Sequence, residues 1–365
     1  LKIILFLYLI SAIYNLYHQF RIVYLIRGFH KQKLTPKDIL EPVSIIICAK
    51  NEQENISKNL DSILNQNYPQ FEVIIVDDCS TDSTSTIVKE FQKDYPQLRL
   101  LQPENAPSNS KRNALKTGIL TAKHEILLLT DADCKPLSKD WIKTMSTSLS
   151  SEKACVLGYS PYVNHPSYLN LIIQFETFQT AGLYLSRAIA GKAYMSVGRN
   201  VMYTKAFFLA NENFENESHL TSGDDDLLIQ NVKEESKITV NLNPKSFVLS
   251  QPKKTWKSWW NQKLRHYSTA PHYSNNSQIY LGLYHLSQAL FWFGFLILIF
   301  SEYSKAVLFI VLISITIKSV FIGSYAKLLK VSKAVLFIWP ILEASLLGLQ
   351  LGLGINGRLK KQKTW

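Results

Sequence analysis

Two aspartates, Asp131 and Asp133, close the apolar run EILLLTDADC at Glu125–Cys134. Carboxylates two positions apart on an extended strand end share one face and can hold a hard divalent cation. Mg2+ or Mn2+ held there could stabilise negative charge developing on an oxygen. Such a pair alone is weak evidence, because exposed aspartates also cap helices and make turns. Its setting strengthens it. Two earlier apolar runs also end in polar clusters, CAKNE at Cys48–Glu52 and VDDCSTD at Val76–Asp82. Between those runs and the Asp131 pair lies SNSKRNALKTGI, Ser108–Ile119, which brings Lys111 and Arg112. Further on, TSGDDDLLIQN at Thr221–Asn231 sets Asp224, Asp225 and Asp226 before an apolar helical pattern. The helix dipole favours acids at such a start, but three in a row exceed what capping needs. One of them could take a proton from an attacking hydroxyl.

These residues need a scaffold that collects strand ends. VSIIICAK, EVIIVDD and EILLLTDAD are continuous Ile, Val and Leu runs, separated by helix-like stretches such as NISKNLDSILNQ and STSTIVKEFQKD. Apolar strands alternating with helices predict an α/β fold with a mostly parallel sheet covered on both faces. In such sheets ligands bind beyond the carboxyl ends of the strands. The domain is expected over 42–252.

This run of elements resembles the family 2 glycosyltransferases: a strand ending in DD-STD, a K-AL-G element, then a strand ending in DAD. The resemblance implies a GT-A fold, an inverting mechanism, a nucleotide-sugar donor and a divalent metal. Carried over residue by residue, it implies Asn51, Glu52 and Asp78 at the base and ribose, and Lys111 at the donor. It makes Asp133 the direct metal ligand, with Asp131 as metal or ribose contact. The family's usual ED before a helix has Gly223 in place of the Glu. Alignment on the following Leu makes Asp224 the base, with Asp225 as the alternative. MSVGRNVMYTKAFF, Met195–Phe208, resembles the acceptor-side GxGxN segment and implies Gly198, Arg199 and Asn200 at the acceptor. QKLRH at Gln262–His266 resembles the QxxRW signature, so Gln262 and Arg265 would reach the donor diphosphate. His266 stands where the family has Trp, which argues against processive polymer synthesis.

The remaining sequence points to a membrane. The chain has 365 residues, 47% hydrophobic, with a net charge of +12, which fits one soluble domain plus a few spans. Residues 1–20 are apolar enough for an anchor, with no small-residue cleavage site after them. Arg21, Arg27, Lys31, Lys33 and Lys37 follow, so that side is expected in the cytoplasm. Segment 253–280 interleaves Lys253, Lys254, Lys257, Lys263 and Arg265 with Trp256, Trp259 and Trp260, an interfacial pattern. Single-stranded nucleic acid competes for such a pattern, but the flanking apolar segments favour membrane. Segment 286–356 reads as two spans plus a third stretch, AVLFIWPILEASLLGLQLGLGI, with Pro340 and Glu343. The basic tail after it favours a re-entrant or interfacial helix over a third span. Lys318, near the end of the second span, is expected to snorkel. Cys48, Cys79, Cys134 and Cys155 form no CxxC pair and read as reduced, buried thiols.

The sequence therefore predicts a glycosyltransferase of the inner membrane with a cytoplasmic catalytic domain. Its substrates would be a UDP- or GDP-sugar and a hydroxyl of a lipid-linked or membrane-near glycan acceptor. A polyprenyl-phosphate glycosyltransferase, and a non-catalytic membrane subunit of the same fold, are the alternatives.

Overall fold

The computed structural model describes residues 1–31, 40–103, 111–213 and 223–359, with side chains to 355. The expectations on Lys33, Lys37, residues 108–110 and the tail after 359 lie outside these residues.

A long helix, α1 (Lys2–His30), leads into the α/β domain. There β1 (Val43–Ala49), α2 (Gln53–Leu64), β2 (Phe71–Asp77), α3 (Thr84–Asp94), β3 (Leu98–Leu101), α4 (Lys111–Thr121) and β4 (Ile126–Asp131) alternate. Next come β5 (Cys134–Pro136), α5 (Trp141–Ser146), β6 (Cys155–Leu157), α6 (Tyr168–Ile189), β7 (Val201–Thr204), α7 (Lys205–Asn211) and α8 (Asp224–Gln230). The chain then runs through β8 (Ile238–Val240), β9 (Val248–Ser250), α9 (Trp256–Tyr267), α10 (Asn275–Leu298), α11 (Ser304–Ala326) and α12 (Lys333–Leu359).

The main sheet has the order β3-β2-β1-β4-β7-β6-β8. Neighbours pair in parallel except around β7, which runs against both β4 and β6. Strands buried on both faces carry unbroken apolar runs. Alternate side chains of β1 serve the two sides: Ile45 and Ile47 join Ile56, Leu60 and Ile63 of α2, while Ile46 joins Leu115 and Ile119 of α4. The expected parallel α/β architecture is present.

The reversal of β7 matters for the site. Leu129 of β4 pairs with Val201, the first residue of β7. The segment just before β7 therefore arrives at the carboxyl end of the parallel strands, beside Asp131.

Four helices, α1, α10, α11 and residues 333–355 of α12, are long and apolar enough to cross a membrane. α1 runs on past residue 20 to His30 and packs against α10 and α11. Phe6, Ile10, Ile13, Ile297, Phe309 and Leu312 remain exposed on the outside of this bundle. α12 has spanning length, which fits either a third span or a re-entrant helix. It bends at Ile338, two residues before Pro340, whose ring and missing N–H interrupt the ladder.

Lys318 does not snorkel. It is buried and donates to both oxygens of Glu343, at 2.7 and 2.8 Å. Trp292 Nε1 and Gln288 Nε2 donate to the same carboxylate. Within segment 253–280 the tryptophans divide between the packed and the open face of α9. Trp259 is fully buried, and Trp260 packs on Gly352 of α12. α9 is a docked helix, with Trp256 as its exposed aromatic.

Candidate active site

The site is built on turns that brace one another. After β1, the Asn51 N–H donates to Ser80 Oγ (2.9 Å) and the Glu52 N–H donates to Thr84 Oγ1 (2.9 Å). The Gln53 N–H donates to Asp82 Oδ2 (3.2 Å) and the Thr81 N–H to Asn51 Oδ1 (2.8 Å). The free N–H groups at the starts of α2 and α3 thus find partners on the neighbouring turn. Asn51 and Cys79 hold left-handed backbone, with φ of 56° and 58°. The amide oxygen of Asn51 is used in this lacing, so it shapes the cradle. Cys79 is exposed, unlike the buried thiol expected. Asp78 follows the last residue of β2, is buried, and lies 3.4 Å from Lys50 Nζ. Glu52 is half-buried, and burial raises its carboxyl above the usual range.

Lys111 opens α4 and donates to Asp131 Oδ1 at 2.7 Å. Burial works against both charges. The pairing outweighs it, holding Asp131 low and Lys111 well above its ordinary value, with Asp224 as the next contributor to the lysine. Asp131 is the last residue of β4, and Asp133 sits in the turn after it. The pair converges through that turn, where the sequence reading had an extended end. Donor atoms of Asp131, Asp133 and Cys134 all lie within 4.8 Å of one another.

These residues fit a hard divalent ion. Asp133 is raised first by burial and then by Asp131, and among the described residues it receives the Cys134 thiol, at 3.2 Å. Carboxylate oxygens crowded at a buried edge are what Mg2+ or Mn2+ bind. Burial pushes the Cys134 thiol well up, so it stays protonated and donates.

The acidic run faces the same crevice. Gly223 caps α8 with φ +89°, and a Cβ there would lie 2.5 Å from Thr269 Cγ2. Only glycine suits that turn, which explains its presence where the resemblance would put Glu. Asp224 is buried and lines a small cavity with Cys48, Lys111, Thr130, Asp131 and Gly198. Asp225 accepts from the Gly198 N–H at 2.6 Å. Burial and then the Asp224 carboxylate push Asp225 up to about 6, while Lys111 and the Gly198 N–H pull the other way. Asp226 turns aside: Tyr273 donates to its Oδ2 at 2.6 Å, and its Oδ1 is buried without a partner. Burial, reinforced by Asp225, raises its carboxyl well above the usual range.

Of the acceptor-side triplet, Gly198 touches Asp225 and Arg199 lies near the metal carboxylates. Arg199 stacks on Tyr162 and donates to the Ser160 carbonyl. Its charge acts on both Asp131 and Asp133. Asn200 corrects the expectation. It is fully buried, donates to the Tyr159 and Ser246 carbonyls, and accepts from Trp141 Nε1. Both amide hydrogens are spent and the side chain is shielded from the crevice, so its part is to hold the loop. Arg265 lies on α9 within electrostatic reach of Asp131, with a buried, unpartnered Nε. Gln262 is half-buried one turn earlier on the same face. The Tyr273–Asp226 contact was missed in the sequence; its only signal was the excess of aspartates.

Residues 44–208 match the family described as Glycosyl transferase family 2. The matched segment runs from β1 into α7, on a chain whose described residues include four helices of membrane-spanning length. Among curated relatives, the chain is 30% identical to glycosyltransferase AglE of Haloferax volcanii, over 50% of this chain and 58% of that protein. It is 33% identical to poly-beta-1,6-N-acetyl-D-glucosamine synthase of Staphylococcus epidermidis, over 30% of this chain and 24% of that protein. The chain thus spans less than two thirds of these relatives. Its fold matches the mannosyltransferase PcManGT of Pyrobaculum calidifontis, solved with GDP-Man and Mn2+. That match has a TM-score of 0.54 and 18% identity, covering 93% of this chain and 97% of that one.

Proposed function

We propose that this chain is a membrane-anchored, inverting glycosyltransferase using a UDP- or GDP-sugar and Mg2+ or Mn2+. The acceptor is a hydroxyl on a lipid-linked or membrane-near glycan. One observation carries the reading: Lys111, Asp131 and Asp224 line one cavity, with Asp133 close to Asp131 and Asp225 bonded to Gly198 of the same lining.

Asp131 and Asp133 would hold the ion, which supplies charge neutralisation for the diphosphate leaving group. Lys111, Arg199 and Arg265 add fixed positive charge around the same phosphates. Asp78 and Glu52 stand at the nucleoside end of the cradle. Asp225 is favoured over Asp224 as the base. A base works best with a pKa near the operating pH, and Asp225 is raised to about 6 beside the acceptor-side loop. Asp224 sits in the cavity with Lys111 and tunes its neighbour. Arg21, Arg27 and Lys31 after the anchor support a cytoplasmic domain at an inner membrane.

The test is release of nucleoside diphosphate by the purified full chain from a panel of sugar nucleotides, with Mn2+, with Mg2+ and with EDTA. GDP-mannose and UDP-N-acetylglucosamine are the first probes. Metal-dependent release with one donor class supports the reading. No release from any donor, with a lipid-linked acceptor present, overturns it.

A further inference from the structure

A second cavity lies away from the acidic crevice, where α1, α6 and α10 meet. His18, Arg21, Leu25, Ser186, Arg187 and Tyr280 line it. The Arg187 guanidinium stacks over the Tyr280 ring at 4.3 Å, and its Nε is buried without a hydrogen-bond partner. The His18 ring Nε2 lies 3.0 Å from the Tyr280 hydroxyl, while its Nδ1 is also buried and unpartnered. The charged and titratable groups within reach of His18 are Arg21, Lys318, Arg187 and His285. Of these, Lys318 alone has a carboxylate partner among the described residues, Glu343. The cavity thus holds two guanidinium groups and several donors, with no acid among the described residues that line it.

Its depth is set by the helices around it. Arg21 ends the apolar first stretch of α1, and Tyr280 precedes the apolar stretch of α10. Tyr17, Phe20 and Tyr24 are exposed on α1 at this level. Exposed aromatics next to the first arginine mark the boundary between hydrocarbon and headgroups. A fork of guanidinium N–H groups matches phosphate oxygens, and basic pockets between membrane helices on the cytoplasmic side suit lipid phosphates.

We infer that this cavity binds the phosphate of a membrane lipid, held by Arg21 and Arg187, with the hydrogen-bonded His18–Tyr280 pair supplying one neutral donor. The site shares no residue with the proposed diphosphate site. The inference rests on α1 and α10 lying in a bilayer and does not depend on sugar transfer.

The experiment uses the full chain in a neutral detergent, titrated separately with phosphatidic acid, a polyprenyl phosphate and inorganic phosphate. Bound ligand is read by native mass spectrometry. Lipid phosphate should bind the wild type, and Arg187→Gln and Arg21→Gln should each weaken it by about tenfold or more, as expected for loss of a charged hydrogen bond. Asp133→Ala should leave lipid binding unchanged. Preference for either lipid supports the inference and identifies the source of the phosphate. Undiminished lipid binding in both arginine variants overturns it, as does inorganic phosphate binding as tightly as lipid. If Arg187→Gln fails to fold by thermal unfolding, the half-buried Arg21→Gln alone decides.

Discussion

Replacing Asp225 by Asn should separate proton transfer from donor binding. The amide oxygen of Asn can still accept the Gly198 N–H that Asp225 Oδ2 now takes at 2.6 Å, so the acceptor-side loop keeps its anchor. What is lost is a carboxylate raised to about 6. At pH 7.5 such a group is roughly 97% ionised, and at pH 5 about 9%. A base must be ionised to act. Wild-type turnover should therefore fall about tenfold per pH unit below 6, and Asp225→Asn should remove that limb along with about 100-fold or more of turnover. Asp224→Asn should act differently. The Asp224 carboxylate beside Asp225 helps to raise it. Removing its charge should shift the acidic limb to lower pH. The assay is nucleoside diphosphate release with acceptor present, read over pH 5–8.5, with donor affinity measured by calorimetry. Donor affinity should change little in Asp225→Asn. Turnover within about threefold of wild type in that variant would refute the base assignment. If Asp224→Asn is dead and Asp225→Asn active, the base is the residue placed by aligning on Leu227.

Asp133→Ala should abolish metal-dependent donor binding, and calorimetry showing equal donor affinity with and without Mn2+ in wild type and variant would contradict the metal site. Asp226→Asn should raise the unfolding temperature near pH 8. A carboxyl raised well above its unfolded value contributes stability at low pH that is lost as pH rises towards the folded value. The gain should vanish at pH 4, and a Tm difference independent of pH would rule the explanation out. Glu343→Ala should destabilise by about 3–5 kcal/mol, because it strands the buried Lys318 charge. Adding Lys318→Met should recover most of that loss, and failure to recover would show that packing, not charge, is at stake.

The strands were legible because both faces of the sheet are buried and their apolar runs are unbroken. The DxD and the DDD run were legible because acids at strand or helix ends break apolar patterns. Three features were not. Asn200 sits in a segment that looks like a binding loop, yet its amide is spent on Trp141, Tyr159 and Ser246, which are distant in sequence. Lys318 and Glu343 are separated along the chain by 25 positions, and only the bundle brings them together. Which tryptophan of α9 is buried was not legible, because composition does not say which face of a helix docks. In each case a polar or amphipathic side chain found its partner through tertiary packing, which local pattern does not encode.

That packing also ties the acidic run to the membrane helices. Gly223, at the start of α8, lies against Thr269 just beyond α9. Tyr273, in the link between α9 and α10, donates to Asp226. Gln230, at the end of α8, accepts from the N–H of Ser274, whose side chain caps α10. Both ends of the short α8 are therefore held by the segment that enters α10. On the other side, α8 is fixed to the loop before β7 through Asp225 and Gly198. Asp225 is thus clamped between the antiparallel strand that delivers the acceptor-side loop and the helix that leads into the membrane region. In the proposed function, an acceptor arriving from a membrane would meet Asp225 in a position set by α10, a helix of membrane-spanning length. This offers a physical reason for the domain and its spans to be built as one packed unit.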